Sequence, residues 1–425
     1  MAVMLIESAD PNLSFHIKKN PNTGLTIKKM RSGVLAGWFP HGTQSYALHF
    51  RESGADNSFS NEDGRNHMDL TQYASTYFVF NSISTLLNNT LKLDPNQETY
   101  EHYIHIPVVQ LRTKRTIEHL NAFIGLDLTI TNKLDESLHS MSLYDIRISY
   151  TGTFNEFMMK VYVLFYLLHG DLYQSDIVWM EAMIAKVVGV LKELRSEYFL
   201  WYWFKKNILV KPTFYAKLQD ELGKNSVDGP MTIQFGDTQT QRKNFVANHM
   251  AGFDRPILDV GCGGGDYLLP YAKKLAANGN HRIIGVDIDT EIVGKLQYKL
   301  EDRKQHNASV YTSLDEVQLD EEHDIICIEV IEHMPLEDAS ALVANLLRRN
   351  FRKLIISTPN RDFNKYYRTM VGFRHDDHHF EFSREEFKKF INELAPDDSY
   401  TGKILPVGDK VGDIPMAWAA VIKKV

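Results

Sequence analysis

The sequence predicts a doubly wound α/β domain over residues 232–425. An α+β region over 1–148 and a helical segment with its linker over 149–231 precede it. Three observations predict this. A chain of 425 residues is too long for one ordinary domain. From about residue 232 apolar strand-like runs alternate with helical ones, which is the order of a parallel sheet covered by helices. The unbroken apolar runs Ile325-Ile-Cys-Ile328 and Leu354-Ile-Ile356 suit strands buried on both faces.

Residues 1–148 carry short alternating runs separated by Asn-, Asp- and Gly-rich turns. The runs Leu13–Ile17, Gly24–Ile27 and Tyr103–Pro107 are expected as strands. Helical spacing is expected near Thr71–Leu91 and Thr116–Ile124. Beyond residue 149 large apolar residues recur at helical spacing over Phe154–Leu168, Asp176–Leu194 and Glu197–Asn207. The aromatic run Tyr198–Phe204 suits the core of a helix bundle, although exposed aromatics also stack on bases. Gly223–Gly229 is polar and turn-rich, as a linker is. In the last region strands are expected at Pro256–Val260, Arg282–Val286, Ser309–Tyr311, Asp324–Val330 and Lys353–Ser357, with late strands near Lys403–Pro406 and Ala417–Ile422.

Composition narrows the function classes. Two cysteines, Cys262 and Cys327, are too few for a disulfide framework and suit a reducing compartment. The first residues, Met1-Ala-Val-Met-Leu-Ile6, lack a basic region and have too short an apolar run for a signal peptide. The apolar stretch Phe157–Leu168 is too short for a membrane span and contains Lys160. A soluble, cytoplasmic protein with no membrane partner is the expectation. A net charge of −7 argues against coating nucleic acid, which needs clustered Lys and Arg. Gripping a few terminal nucleotides remains compatible with it. Local basic spots such as Arg112-Thr-Lys-Arg115, Arg348-Arg349 and Arg352-Lys353 read first as solvated surface.

The segment Ile257-Leu-Asp259-Val-Gly261-Cys-Gly263-Gly-Gly265 has strand, glycine-rich turn and helix in order. Glycines there permit positive φ and let a ligand approach the main chain. The next strand ends in Gly285-Val-Asp287, placing a carboxylate where a ribose hydroxyl can be bound. A dinucleotide fold needs Gly-x-Gly-x-x-Gly and seats a pyrophosphate on the helix amino terminus. Here Asp259 precedes Gly-x-Gly-x-Gly, and a carboxylate would repel pyrophosphate while suiting the amino group of a methionine moiety. The pattern resembles the signature of class I (Rossmann-like) methyltransferases that use S-adenosylmethionine. By that likeness Asp259, Gly261 and Gly263 hold the methionine end and Asp287 the ribose, with Ser313 and Leu314 near the adenine.

The fourth strand runs into Glu329-Val-Ile-Glu332-His333-Met-Pro335. If the chain turns helical there, positions i, i+3 and i+4 share one face. Two carboxylates and an imidazole so placed can hold a hard divalent cation rather than a thiolate-type zinc. Taken alone, the segment also reads as a solvent-facing helix start. Downstream, Ser357-Thr-Pro-Asn360-x-x-x-Asn364 follows the fifth strand at the carboxyl edge, where open α/β sheets bind ligands. The stretch Arg374-His375-Asp-Asp377-His378-His-Phe-Glu381 precedes a capping box formed by Ser383 and Glu386.

These three motifs together resemble the HEN family of RNA 3′-terminal 2′-O-methyltransferases, over residues 240–425. The resemblance implies a cation, Mn²⁺ or Mg²⁺, held by Glu329, Glu332, His333 and His378. It also implies transfer of a methyl group from S-adenosylmethionine to the 2′-hydroxyl at an RNA 3′ end. His375 is a further catalytic candidate, and Asn360, Asn364 and Arg374 are candidates for contacting the terminal nucleotide. Phe382 departs from the family, which usually has Trp there, and puts local packing in question. The first 230 residues are similar to the amino-terminal half of bacterial members, which implies a polynucleotide kinase-phosphatase with an associated ligase as repair partner. A methyltransferase of a small diol such as a catechol, and a non-catalytic RNA-repair scaffold, are the competing readings.

Overall fold

A computed structural model describes residues 2–30, 33–52, 76–132, 143–173, 181–250, 252–279, 281–368, 373–395 and 399–424. The chain divides into two units, Met1–Pro230 and Met231–Val425. The boundary directly follows the polar linker, where Gly223 and Gly229 take positive φ.

The first unit is built on an antiparallel sheet of β1 (Ala2–Ser8), β2 (Thr26–Lys29), β3 (Gly33–Trp38), β4 (Ser45–Glu52), β5 (Tyr100–Gln110), β6 (Asp127–Asn132) and β7 (Leu143–Gly152). Their order across the sheet is β2-β3-β4-β1-β5-β7-β6. The helices Phe154–Tyr173, Glu181–Glu193 and Tyr198–Asn207 fall within this unit, together with Thr76–Leu86. Residues 71–75 and 176–180 of the expected helices lie outside the described residues. The Phe154–Tyr173 helix is buried nearly all round, as expected of a helix apolar on every side. Its one basic residue, Lys160, donates to the Ile124 carbonyl at 3.0 Å. In the aromatic run, Tyr198, Phe199, Trp201 and Phe204 are buried in the core.

One expected strand is a helical turn instead. Leu13–His16 is α-helical, and the Asp10 carboxylate accepts from the Asn12 N–H at 2.7 Å to start it. A strand would put Leu13, Phe15 and Ile17 on one face. In the helix Leu13 and Ile17 are buried while Phe15 is 81% exposed.

The second unit is an eight-stranded sheet of β8 (Met231–Thr232), β9 (Ile257–Val260), β10 (Ile283–Val286), β11 (Ala308–Tyr311), β12 (His323–Ile328), β13 (Phe351–Pro359), β14 (Tyr400–Val411) and β15 (Ile414–Lys424). The order is β11-β10-β9-β12-β13-β15-β14-β8, with β9 to β13 parallel and the last hairpin antiparallel. Along β12, Ile325 and Cys327 enter one hydrophobic layer and Ile326 the other, which explains its unbroken apolar run. The strand order reverses between β9 and β12. In open α/β sheets generally, ligands lie at such a switch point, beyond the carboxyl ends of the strands. Among the described residues no helix is long and apolar enough to cross a membrane.

Candidate active site

Both chemically marked motifs leave the sheet at that switch point. After β9 the chain turns through Gly261, Gly263 and Gly265, all at positive φ. At Gly261, φ is 71° and an added Cβ would lie 2.4 Å from Val330 Cγ2, so only glycine fits without strain. Asp287, at the end of β10, accepts from the Gly263 N–H at 2.8 Å and the Asp289 N–H at 3.0 Å. Asp289 caps the helix Thr290–Asp302. The Asp259 carboxyl is buried, and one of its oxygens has no hydrogen-bond partner among the described residues. Burial, followed by the nearby Asp287 and Asp266, pushes it up to about 7.

A cleft of about 770 Å³ opens here, lined by Gly261, Asp287, Ser313, Leu314, Glu329 and His333 among others. Ser313 spends its hydroxyl accepting from the Asp315 N–H at 3.2 Å. Ile288 also lines the cleft and is 89% exposed. A single apolar residue after Asp287 carries no periodic signal in the sequence.

Beside this cleft Glu332, His333 and His378 converge. Each offers a ligand atom, and these atoms lie within 4.8 Å of one another. Glu332 and His333 sit on a 3₁₀ turn, Ile331–His333, leaving β12, and His378 comes from the loop before the helix Arg384–Leu394. The His379 N–H donates to the Glu332 carbonyl at 2.7 Å and ties the two segments together. The His333 Nδ1 lies 3.0 Å from Asp377 Oδ2, and His378 Nδ1 lies 2.7 Å from Glu381 Oε1. A carboxylate only accepts, so each Nδ1 is the donor, and Nε2 of the neutral ring keeps a lone pair for a ligand. Glu332 is 1% exposed, and its Oε2 is buried without a partner among the described residues. Burial first, and Glu329 second, push this carboxyl well above its usual range. An orphaned carboxylate oxygen with two imidazole lone pairs is the donor set that a divalent cation completes.

Glu329 stands outside this group. Its φ is +56°, a conformation costing roughly 1–2 kcal/mol for a residue with a Cβ. Its carboxylate accepts from the Ser357 hydroxyl at 2.8 Å and from Arg242 at 2.5 Å. Arg242, on the helix Thr238–His249, belongs to none of the motifs found in the sequence. His375 is exposed, with its ring 5.1 Å from that of His378.

The three nucleotide-contact candidates face inward. Asn360 is 1% exposed; its side chain donates to the Pro415 carbonyl and accepts from the Asp362 N–H. Asn364 and Arg374 bind each other and Glu381. Phe382 packs against Phe387 and Phe390, with centroids 5.8 and 5.1 Å apart, so the ring fills this core without an indole.

Comparison with known proteins gives this architecture a family. A model of the Hen1 N-terminal domain matches residues 3–227, more than half of the chain. The chain belongs to the Hen1 family. A methyltransferase-domain model matches residues 257–350, and the second unit of this Hen1-family chain has the Rossmann-like methyltransferase fold. The whole chain also shares its fold with a chain of the solved Pnkp1/Rnl/Hen1 RNA repair complex. The TM-score is 0.79 at 23% identity, covering 99% of this chain and 100% of that one. Among curated relatives, the small RNA 2′-O-methyltransferase of Xenopus tropicalis is 31% identical over 153 residues, 31% of this chain and 39% of its own length. That of Caenorhabditis elegans is 31% identical over 182 residues, 37% of this chain and 41% of its own length. The chain thus spans about two fifths of the length of these relatives.

Proposed function

We propose that this protein transfers the methyl group of S-adenosylmethionine to the 2′-hydroxyl of the 3′-terminal nucleotide of RNA, with a divalent cation required. The observation that carries this reading is the orphaned Glu332 oxygen grouped with His333 and His378 at the edge of the glycine-rich cleft. Glu332, His333 and His378 would hold the cation, and Glu329 joins them by exchanging its Arg242 contact for it. A cation bound there supplies Lewis acidity, which lowers the pKa of a coordinated hydroxyl and fixes its direction. Asp259 receives the amino group of the methionine moiety, and Asp287 the ribose hydroxyls of the cofactor. His375, exposed beside His378, is placed to contact the terminal nucleotide. Holding nucleophile and methyl donor in line is the larger part of the acceleration.

Incubation of the full chain with labelled S-adenosylmethionine, Mn²⁺ or Mg²⁺ and a short RNA tests this. Label is expected only on RNA with a free terminal diol, not on ends that are 2′-deoxy, 3′-deoxy or 3′-phosphorylated, and chelator abolishes it. Transfer to catechol instead of RNA would replace the substrate, and transfer that survives chelator would remove the cation.

Asp259 adds a pH dependence. Its folded pKa of about 7 means that below pH 7 it is mostly protonated and must lose the proton to pair with a cationic amino group. Cofactor affinity, measured by calorimetry, therefore rises with pH up to about 7 and levels off above it. In Asp259→Asn the slope disappears and the affinity is low throughout.

The marking of repaired RNA belongs to the same proposal. The first unit would join a kinase-phosphatase and ligase partner, a reading supported by the full-length fold likeness to a chain of a repair complex. Both cysteines are free and buried, which fits the reducing cytoplasm.

A further inference from the structure

The loop carrying His378 contains a buried carboxylate that the proposed reaction leaves without a role. Glu381 is 2% exposed. Its Oε1 accepts from His378 Nδ1 at 2.7 Å and from the Arg374 N–H at 2.7 Å. Its Oε2 accepts from the Asn364 side-chain amide. Asn364, also buried, accepts in turn from Arg374 Nε at 3.2 Å. The Arg374 guanidinium then donates to the Asn360 and Met416 carbonyls at 3.3 and 3.1 Å, at the edge of the sheet. A continuous chain of hydrogen bonds therefore runs from the His378 ring to the ends of β13 and β15. A buried carboxylate is costly without partners, and each oxygen here has at least one.

We infer that Glu381 is a positioning residue that sets the tautomer and the ring direction of His378, so that Nε2 faces the cation. The inference rests on the proposed cation site. Glu381 touches neither the cation nor the RNA. As an acceptor it keeps the proton on Nδ1, and Asn364 and Arg374 hold its own carboxylate still. Histidines that bind metals commonly donate their second N–H to such a carboxylate. The same bonds explain why Asn364 and Arg374 turn inward: they brace the bracing residue.

The bond pattern dictates the test. In Glu381→Gln the oxygen facing His378 and Arg374 can be kept, but the new NH₂ then points at the NH₂ of Asn364. Adding Asn364→Asp restores an acceptor at that contact and keeps the one for Arg374, with the net charge unchanged. We would titrate Mn²⁺ into the full-length wild type, Glu381→Gln and Glu381→Gln/Asn364→Asp, following free Mn²⁺ by electron paramagnetic resonance. Thermal unfolding and calorimetric binding of S-adenosylhomocysteine are measured on the same samples. The expected result is a loss of Mn²⁺ affinity of roughly 10–100-fold in Glu381→Gln, recovered in the double variant, with melting and cofactor affinity kept. Unchanged Mn²⁺ affinity in Glu381→Gln overturns the inference. So does a loss matched by equal losses in melting temperature and cofactor binding, which would make Glu381 a loop support only. Failure of the wild type to bind Mn²⁺ removes the cation site itself, a different result from either.

Discussion

If the proposed cation site is right, Glu332→Ala and His378→Ala are expected to lose cation binding and methyl transfer to RNA while keeping the cofactor. Each removes one member of the only group of three metal-competent side chains found among the described residues. Lewis-acid stabilisation is worth several kcal/mol, so the expected loss of single-turnover rate is at least about 100-fold. The cofactor should stay because neither residue is among those lining its cleft. Glu332→Ala also removes a buried carboxyl of which one oxygen has no hydrogen-bond partner among the described residues, so its melting temperature should change little in the absence of cation. Stopped methyl transfer with unaltered S-adenosylhomocysteine affinity is the pattern that places the two residues in chemistry. Wild-type rates in either variant would falsify the cation's role.

Gly261→Ala should lose the cofactor. At φ 71° an alanine costs about 1–2 kcal/mol. Its Cβ would also sit 2.4 Å from Val330 Cγ2, the residue next to Glu329, so relief of the clash pushes on both motifs at once. Relief shifts the turn, Val330 or both, and each lines the cleft, so about 1.4 kcal/mol of the strain shows as tenfold weaker binding. An affinity loss of tenfold or more for S-adenosylhomocysteine is expected by calorimetry. Gly264→Ala is the matched control: it lies in the same turn, without positive φ and with nothing within 4 Å of the added carbon. Equal affinities in the two variants would mean that the turn does not cradle the ligand.

Much of the catalytic unit was legible because its signals are local. An apolar run with both faces buried gives β12, and a glycine where positive φ is required gives the turn after β9. The capping box of Ser383 and Glu386 forms as its spacing predicts. The first unit was less legible. The alternation over Leu13–Ile17 fits a strand and a helical turn equally well, and the Asp10 cap with burial of Leu13 and Ile17 settled it. Local pattern states which backbone a segment prefers. It does not state what will lie against it.

That division runs through the site. The sequence by itself determined the methyltransferase layout, the glycine turn with Asp259 and Asp287, and the Glu-x-x-Glu-His segment after the fourth strand. Only the tertiary structure decided how those side chains are used. It brought His378 to Glu332 and His333 through a main-chain bond from His379, and it held Glu329 aside on Arg242 and Ser357. It also bonded Asn360, Asn364 and Arg374 to Pro415, Met416 and Glu381. The physical reason is that a polar side chain's role depends on its partners. In this site those partners come from β13, β15, the helix Thr238–His249 and a loop distant along the chain, brought together by folding and invisible to periodicity or spacing.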